Sequence, residues 1–373
     1  MIFSNLKVVE LASVLAGPSV GQFFAELGAE VIKIENKTTL GDVTRTWKSS
    51  GEATDDRSAY FCSVNWGKKS VVLDLYQTND QACLHRILQK ADIVIASYKP
   101  GDAEKLNVDY TTVSRFNPAM IYGNLTGYGK DNDRVGYDAL IQAESGFMDL
   151  NGEKNGPPLK MPVALIDILA AHQLKEGLLV ALLQREKSGK GSYVEVSLIQ
   201  TALASLANQA SNYLIAGITP SRQGSLHPNI APYGEVFLTS DGKKILLAIG
   251  SDKQFENLLS VLHISMDSPQ KTLFDNNEKR VKNREALAHL LKTSFAKRPS
   301  TELMPLLHQQ KIPVGIIQTV PEAMGLPEAQ ALLLEQNGLR GVRTFIAHRE
   351  GEKNHSLLPP PHLGEHTHEF KQE

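Results

Sequence analysis

A carboxylate at the junction of an apolar run and a helix is the residue in this chain best placed to do chemistry. Residues 162–200 read PVALIDILAAHQLKEGLLVALLQREKSGKGSYVEVSLIQ, and Asp167 opens the amphipathic pattern. The run Lys187-Ser188-Gly189-Lys190-Gly191 stops that helix, and a β-branched strand follows at 193–196. Asp167 has two readings. As a helix cap it accepts a bond from an orphan backbone N–H and meets the positive end of the helix dipole. As a nucleophile it must stay ionised, which the same surroundings favour. The local sequence permits both.

Other chemistry-bearing residues narrow the field. Lys68, Lys69, Lys99, Lys105 and Arg134 fall near the ends of successive elements, where open α/β sheets bind ligands. Each alone reads as a solvated charge, whereas together they suit an extended ligand carrying phosphates. A nicotinamide cofactor is disfavoured: the first turn reads Ala16-Gly17-Pro18-Ser19-Val20-Gly21, not G-x-G-x-x-G, and Pro18 lacks an N–H to offer a pyrophosphate. Pro18 suits the first turn of a helix instead. Glu35 imitates a ribose-binding acid only in its place at a strand end. The tail holds His362, Glu365, His366, His368 and Glu369, but no second ligand cluster completes a site, so no metal is expected. Cys62 and Cys83 lack C-x-x-C spacing and read as buried structural thiols.

The elements that must position these residues alternate in type. Residues 6–11, 29–34, 70–75, 91–96, 120–125 and 193–196 read as strands. Helical patterns stand between them, at 20–27, 81–90 and 138–150 among others. Such alternation indicates a Rossmann-like, doubly wound parallel-sheet α/β domain. A turn-rich stretch at 220–232 then leads to a hairpin at 235–239 and 244–249, helices at 252–263, 280–296 and 300–310, and a strand at 312–318 returning to the sheet. Residues 321–337 read as a further helix. The plan is a large domain over 1–219, a smaller inserted α+β domain over 220–325, and a segment from 326 to 373 returning to the large domain.

Composition sets the outer limits. The chain has 373 residues, 42% of them hydrophobic and 21% charged, with a net charge of −2. These values describe an ordinary globular protein with no basic surface for nucleic acid. No apolar run is long enough to span a bilayer, and Glu10 interrupts the apolar N-terminus that would otherwise suggest a signal peptide. Two cysteines fit a reducing cytoplasm.

Ten blocks, in order, resemble the family III CoA-transferases of the CaiB/BaiF type. They are VVELASVLAGPSVGQFFAELGAEVIKIE, GDVTRTW, YFCSVNWGKKSVVLDL, ADIVIASYKPGDAEKLNVDY, NPAMIYGNLTGYG, GYDALIQAESG, REKSGKGSYVEVSLIQ, HPNIAPYGEVFLTSDG, IPVGIIQTVPEA and LGEHT. The resemblance implies that Asp167 attacks an acyl-CoA thioester and carries first an anhydride and then an aspartyl-CoA thioester. It implies CoA contacts at Leu15, Ala16, Leu73, Tyr98, Lys99, Lys105, Arg134, Gly136 and Tyr137, and substrate contacts at Trp47, Tyr60 and Tyr137. CoA esters enter as substrates, with no permanently bound cofactor, and the expected assembly is an interlocked homodimer. The chain departs from family patterns at Asn36, where several members carry Arg, and at Leu15, where formyl-CoA transferases carry Gln. The glycine-run loop of those enzymes has no counterpart, which argues against formate–oxalate exchange. An α-methylacyl-CoA racemase shares the fold but places His where this chain has Tyr137, whose ordinary pKa near ~10 suits proton abstraction poorly. A CoA-ester-binding protein without turnover is the remaining alternative.

Overall fold

Strands buried on both faces of a sheet must be apolar at nearly every position, and that rule organises the computed structural model, which describes residues 1–347 and 355–372. Six strands form one parallel sheet: β1 (Lys7–Leu11), β2 (Glu30–Asn36), β3 (Lys68–Leu73), β4 (Ile93–Ala96), β5 (Ile121–Thr126) and β6 (Tyr193–Ser197). Their order is β3-β2-β1-β4-β5-β6. The chain winds outward from β1 to β3 and restarts at β4 on the other side of β1. The crevice outside the carboxyl ends of β1 and β4 is therefore the topological switch point. Alternate side chains divide between two cores. Val8, Ile93, Ile95 and Ile121 pack with Phe24, Ala170, Leu174 and Leu178, from the helices Ala16–Glu26 and Leu165–Ser188. Val9, Val94 and Tyr122 pack on the other face with Leu84, Leu88 and Val113, from the helices Thr78–Gln89 and Tyr110–Phe116. The doubly wound α/β fold is as expected. The Leu165–Ser188 helix stops at Gly189, whose φ of 68° suits glycine. Among the described residues no helix is long and apolar enough to cross a membrane.

Residues 1–148, 160–219 and those from 327 onward form one compact unit, and residues 149–159 and 220–326 form a second. In the second, β7 (Tyr233–Leu238) and β8 (Lys244–Ala248) make the expected hairpin. Phe237, Ile245 and Leu247 share its core with Leu258 and Leu291. The strand expected at 312–318 is β9 (Val314–Ile316), and it pairs with β8 in this small sheet, not with the six-stranded one. Three helical expectations need correction. The 138–150 helix breaks at Ser145-Gly146, where Gly146 has φ 89°, and the 280–296 helix breaks at Asn283. The 321–337 helix gives way, after Val320–Met324 and Pro327–Gln330, to β10 (Leu333–Gln336) and β11 (Leu339–Val342). Asn337 and Gly338 turn between them at φ 51° and 77°, the left-handed pair that a two-residue hairpin demands. The hairpin's Leu334 and Leu339 pack on Trp66.

Charges lie beneath the first three strands. Lys33, from β2, places its Nζ 2.9 Å from Glu10 and 2.9 Å from Asp42, with the Ala12 carbonyl at 2.8 Å. Lys68 contacts the other oxygen of Glu10 at 2.7 Å and accepts no solvent: Pro18 O at 2.8 Å and Asn65 Oδ1 at 2.9 Å complete its bonds. Lys68 is thus a fully buried strand residue, not the solvated loop charge that its neighbours in sequence suggested. Arg45 makes a bidentate pair with Glu35 at 2.6 and 2.8 Å. Burial works against the Lys33 ammonium, but Glu10 and Asp42 outweigh it and raise its pKa. Burial and the charge of Lys33 together push Lys68 down to about 8. Lys33→Met leaves Asp42 buried without its cation and Glu10 with Lys68 alone, and is expected to destabilise the fold by about 3–5 kcal/mol. The check is a lowered urea midpoint at unchanged m-value.

Candidate active site

The loop after β1 is the first wall of the site, and the buried charges fix it. Lys33 donates to Ala12 O, and the Asp42 carboxylate accepts the Val14 N–H with both oxygens at 3.3 Å. Val14 is held at φ 74°, a conformation costly for a β-branched residue. Beyond it Leu15 occupies the N-cap position of the Ala16–Glu26 helix, and its carbonyl accepts Ser19 N–H at 2.8 Å and Ser19 Oγ at 2.7 Å. The first-turn N–H groups at Ala16 and Gly17 have no intrahelical acceptor.

Asp167 is not the cap of its helix. The helix begins at Leu165, after Ala164, with no side-chain bond at the cap position. Asp138 does that work from a distance: it accepts the Ile166 N–H at 2.8 Å and the Gln142 amide at 2.7 Å. Gln142 in turn accepts the Met161 N–H at 2.8 Å. The Asp167 carboxylate receives no hydrogen bond from any described residue, although it is only 9% exposed. Burial, with the Asp138 charge second, pushes its pKa up to about 7. A carboxylate left without donors is poorly stabilised as an anion, which is the condition for a reactive nucleophile or base near neutral pH.

Asp167 opens on a cleft of about 140 Å³ at the switch point, together with Leu15, Ala16, Gly136, Tyr137 and Asp138. The structure therefore brings four of the expected contact residues to the carboxylate. Gly136 is there for steric reasons, since a Cβ on it would lie 2.3 Å from Gly127 Cα. A second cavity of about 350 Å³ shares Ser13, Val14 and Ser97 with the cleft and holds Asn36, Leu73 and Tyr98. Burial pushes the Tyr98 hydroxyl up to about 12. A third, of about 470 Å³, shares Leu15 and holds Tyr60, against which Trp47 packs edge-on at 5.3 Å. Lys99 lines a fourth cavity of about 460 Å³ that shares Tyr98 and Thr126 with the others. Lys105 and Arg134 line none of these four. Lys105 pairs with Asp102 at 2.9 Å, while Arg134 pairs with Glu144 and lies over the Tyr128 ring. Of the tail histidines, His362 meets Asp55 and Asp56 at the surface. Sequence reasoning missed Ser13, Val14, Ser97 and Asp138. Asp138 carried a signal, as a carboxylate directly after Gly136-Tyr137, but it read only as a helix start.

The chain matches the family described as CoA-transferase family III over residues 3–367. Succinate–glutarate CoA-transferase of Agrobacterium fabrum is 36% identical, aligned over 97% of this chain and 93% of its own length. Human succinyl-CoA:glutarate CoA-transferase is 30% identical over 97% of this chain and 84% of its own. A solved CaiB/BaiF family protein from Brucella suis superposes with a TM-score of 0.87 at 36% identity, covering 98% and 97% of the two chains.

The raised pKa of Asp167 carries a stability consequence. Below the ordinary aspartate value of about 3.9 both folded and unfolded chains hold the proton, and the site costs nothing. As pH rises toward 7 the unfolded carboxyl ionises first, so stability falls, and the loss is complete above about 7. Asp167→Asn removes this penalty, which is at most about 4 kcal/mol. The variant is expected to melt higher than the parent at pH 8 and level with it at pH 4, as read by paired thermal scans.

Proposed function

The chain belongs to CoA-transferase family III, and on that premise we propose that it moves CoA from an acyl-CoA donor to a carboxylic acid by covalent catalysis at Asp167. One observation carries the reading: a buried carboxylate, without donors and with its pKa near neutrality, stands at the switch point of a CoA-transferase fold. An Asp167 oxygen attacks the thioester carbonyl; a C–O bond forms, the C–S bond breaks, and CoA leaves as thiolate. The thiolate then attacks the Asp167 carbonyl of the resulting anhydride, which releases the donor acid and leaves an aspartyl-CoA thioester. An acceptor carboxylate reverses the sequence, and Asp167 is restored with no net proton change. Splitting the exchange this way keeps CoA bound and spares the thioester from water.

The remaining residues divide the substrate between them. The cavity of Leu73 and Tyr98 takes the CoA arm, and the first-turn N–H groups after Leu15 face the developing oxyanion. Tyr60, with Trp47 behind it, borders the acyl group. The names of the two CoA-transferase relatives point to succinyl-CoA as donor and glutarate as acceptor. A racemase would need a second proton-transfer group, and no histidine lines the Asp167 cleft among the described residues.

Incubation with succinyl-CoA and intact-mass analysis should show an adduct that hydroxylamine removes and that maps to Asp167. Transfer to glutarate is expected to lose activity by about 10³-fold or more in Asp167→Ala. For the parent, kcat/KM should fall as pH drops through about 7, where the carboxylate takes up its proton. Retention of transfer in the Ala variant overturns the assignment, and α-proton exchange without any adduct would favour the racemase.

A further inference from the structure

The helix that carries Asp167 also carries a lysine with no partner. Lys175 is 9% exposed, yet among the described residues its ammonium makes no ion pair and no hydrogen bond. Its recorded contact is the face of the Phe23 ring, 5.5 Å from Nζ. Among the described residues Glu26 is the one acid whose charge reaches it, and that carboxylate is already engaged by the Gln22 amide at 3.0 Å and the N–H groups of Thr344 and Phe345 at 2.9 and 2.8 Å. Burial accordingly lowers the Lys175 pKa. A cation largely removed from water without an anion destabilises a fold, a cost of the kind that binding sites carry for function.

The surroundings say which ligand. Ala164, Ile168, Ala171, His172 and Lys175 recur at i, i+4, i+7, i+8 and i+11 and form one stripe of the helix along the 470 Å³ cavity. Leu15, Val64, Pro162 and Val163 supply further apolar wall. The cavity shares Leu15 with the Asp167 cleft, and its Tyr60 feels the Asp167 charge. It is thus a mainly apolar cavity that meets the Asp167 cleft at Leu15 and has Lys175 in its wall. Lys175 follows Asp167 by eight residues, about 12 Å of helix axis. Side chains on a helix tend to lean back toward its N-terminus, a direction that would bring the ammonium nearer to Asp167. His172 stands in the same cavity, and burial and Lys175 lower its pKa, so it adds no second positive charge.

We propose that Lys175 binds the remote carboxylate of a short aliphatic dicarboxylic acid while the near carboxyl reacts at Asp167, making Lys175 the residue that selects diacids over monoacids. The inference rests on the transferase reading and adds a specificity role to it. The same contact serves both half-reactions, since donor acyl group and acceptor acid occupy the cavity in turn.

The test compares glutarate with valerate as CoA acceptors from succinyl-CoA, in the parent and in Lys175→Met and Lys175→Arg. The parent should prefer glutarate by about 10²-fold or more in kcat/KM, the usual effect of pairing a buried charge. Lys175→Met should abolish that preference by bringing kcat/KM for glutarate down to the valerate level, while KM for succinyl-CoA, which uses the same contact as donor, also rises. Lys175→Arg should keep most of it. A merely structural lysine would leave the ratio of glutarate to valerate unchanged, whatever happened to the overall rate. Glutarate monomethyl ester, used with the parent alone, makes the same test without a variant and should behave as valerate does. Equal use of the ester and glutarate, or a selectivity that survives Lys175→Met, overturns the proposal. The Asp167 adduct formed from succinyl-CoA reports separately on the transferase reading: adduct without selectivity removes only the role of Lys175, and no adduct with any ester removes the reading beneath it.

Discussion

The Lys33 ammonium, sealed from water between Glu10 and Asp42, is the constraint on which the site depends. Three cations, Lys33, Lys68 and Arg45, and three anions, Glu10, Glu35 and Asp42, lie in one dry layer against β1, β2 and β3. Desolvating each ion costs several kcal/mol, so such a network stabilises far less than its short contacts suggest. What it supplies is position. Its spare bonding capacity is directed at backbone: Ala12 O, Val14 N–H and Pro18 O are all held by members of the network. The strained Val14 persists because Asp42, itself locked by Lys33, over-determines it. Arg45 extends the same grip to the Pro361 carbonyl, which ties the C-terminal stretch to the layer.

Asp42 and Asp167 show how one residue type acquires opposite properties a short distance apart in the fold. Both are buried. Asp42 has a lysine at 2.9 Å and the N–H and hydroxyl of Thr44, and these outweigh burial and hold its carboxyl below the ordinary range. Asp167 has only burial and the like charge of Asp138, and is driven up. The first is held as an ion; the second is poorly stabilised as one, the property that the proposed nucleophile requires. Environments that push two carboxylates apart in this way mark which of them does the chemistry. Asp138 acts on Asp167 in two ways: it accepts the Ile166 N–H at the start of that helix, and its charge helps to raise the Asp167 carboxyl.

The parts of the molecule legible in the sequence are those set by local pattern. The strand at Ile93 shows as an unbroken apolar run because both sheet faces are covered, and Gly189 marks its helix end through a left-handed φ that suits glycine. Long-range pairing left no local trace. Lys68 looks like its half-buried neighbour Lys69 until Glu10, 58 residues earlier, is known to meet it. Asp138 caps a helix 28 residues away, and nothing in its own surroundings predicts that. The hairpin at Asn337-Gly338 is a different case, because the turn signal was present. The apolar residues Ala331 to Leu334 fit a helical period equally well, and periodicity over so short a run cannot separate helix from strand. Lys105 and Arg134 each have an acidic neighbour in space, which their own sequence surroundings do not announce as a partner.

A single helix sets the distances that matter for substrate choice. Asp167 and Lys175 stand on the same rigid element, two turns apart, with Ala171 between them. Loop motion can open or close the cavity, but it cannot alter their spacing, which backbone hydrogen bonds fix at about 1.5 Å of rise per residue. Chain length is then measured by the helix, and the small side chain of Ala171 leaves the measuring face clear. Enlarging that residue would shorten the usable cavity without touching either charge. Discrimination by length and discrimination by charge are therefore separable properties of one stripe of side chains, the first governed by volume at Ala171 and the second by the ammonium of Lys175.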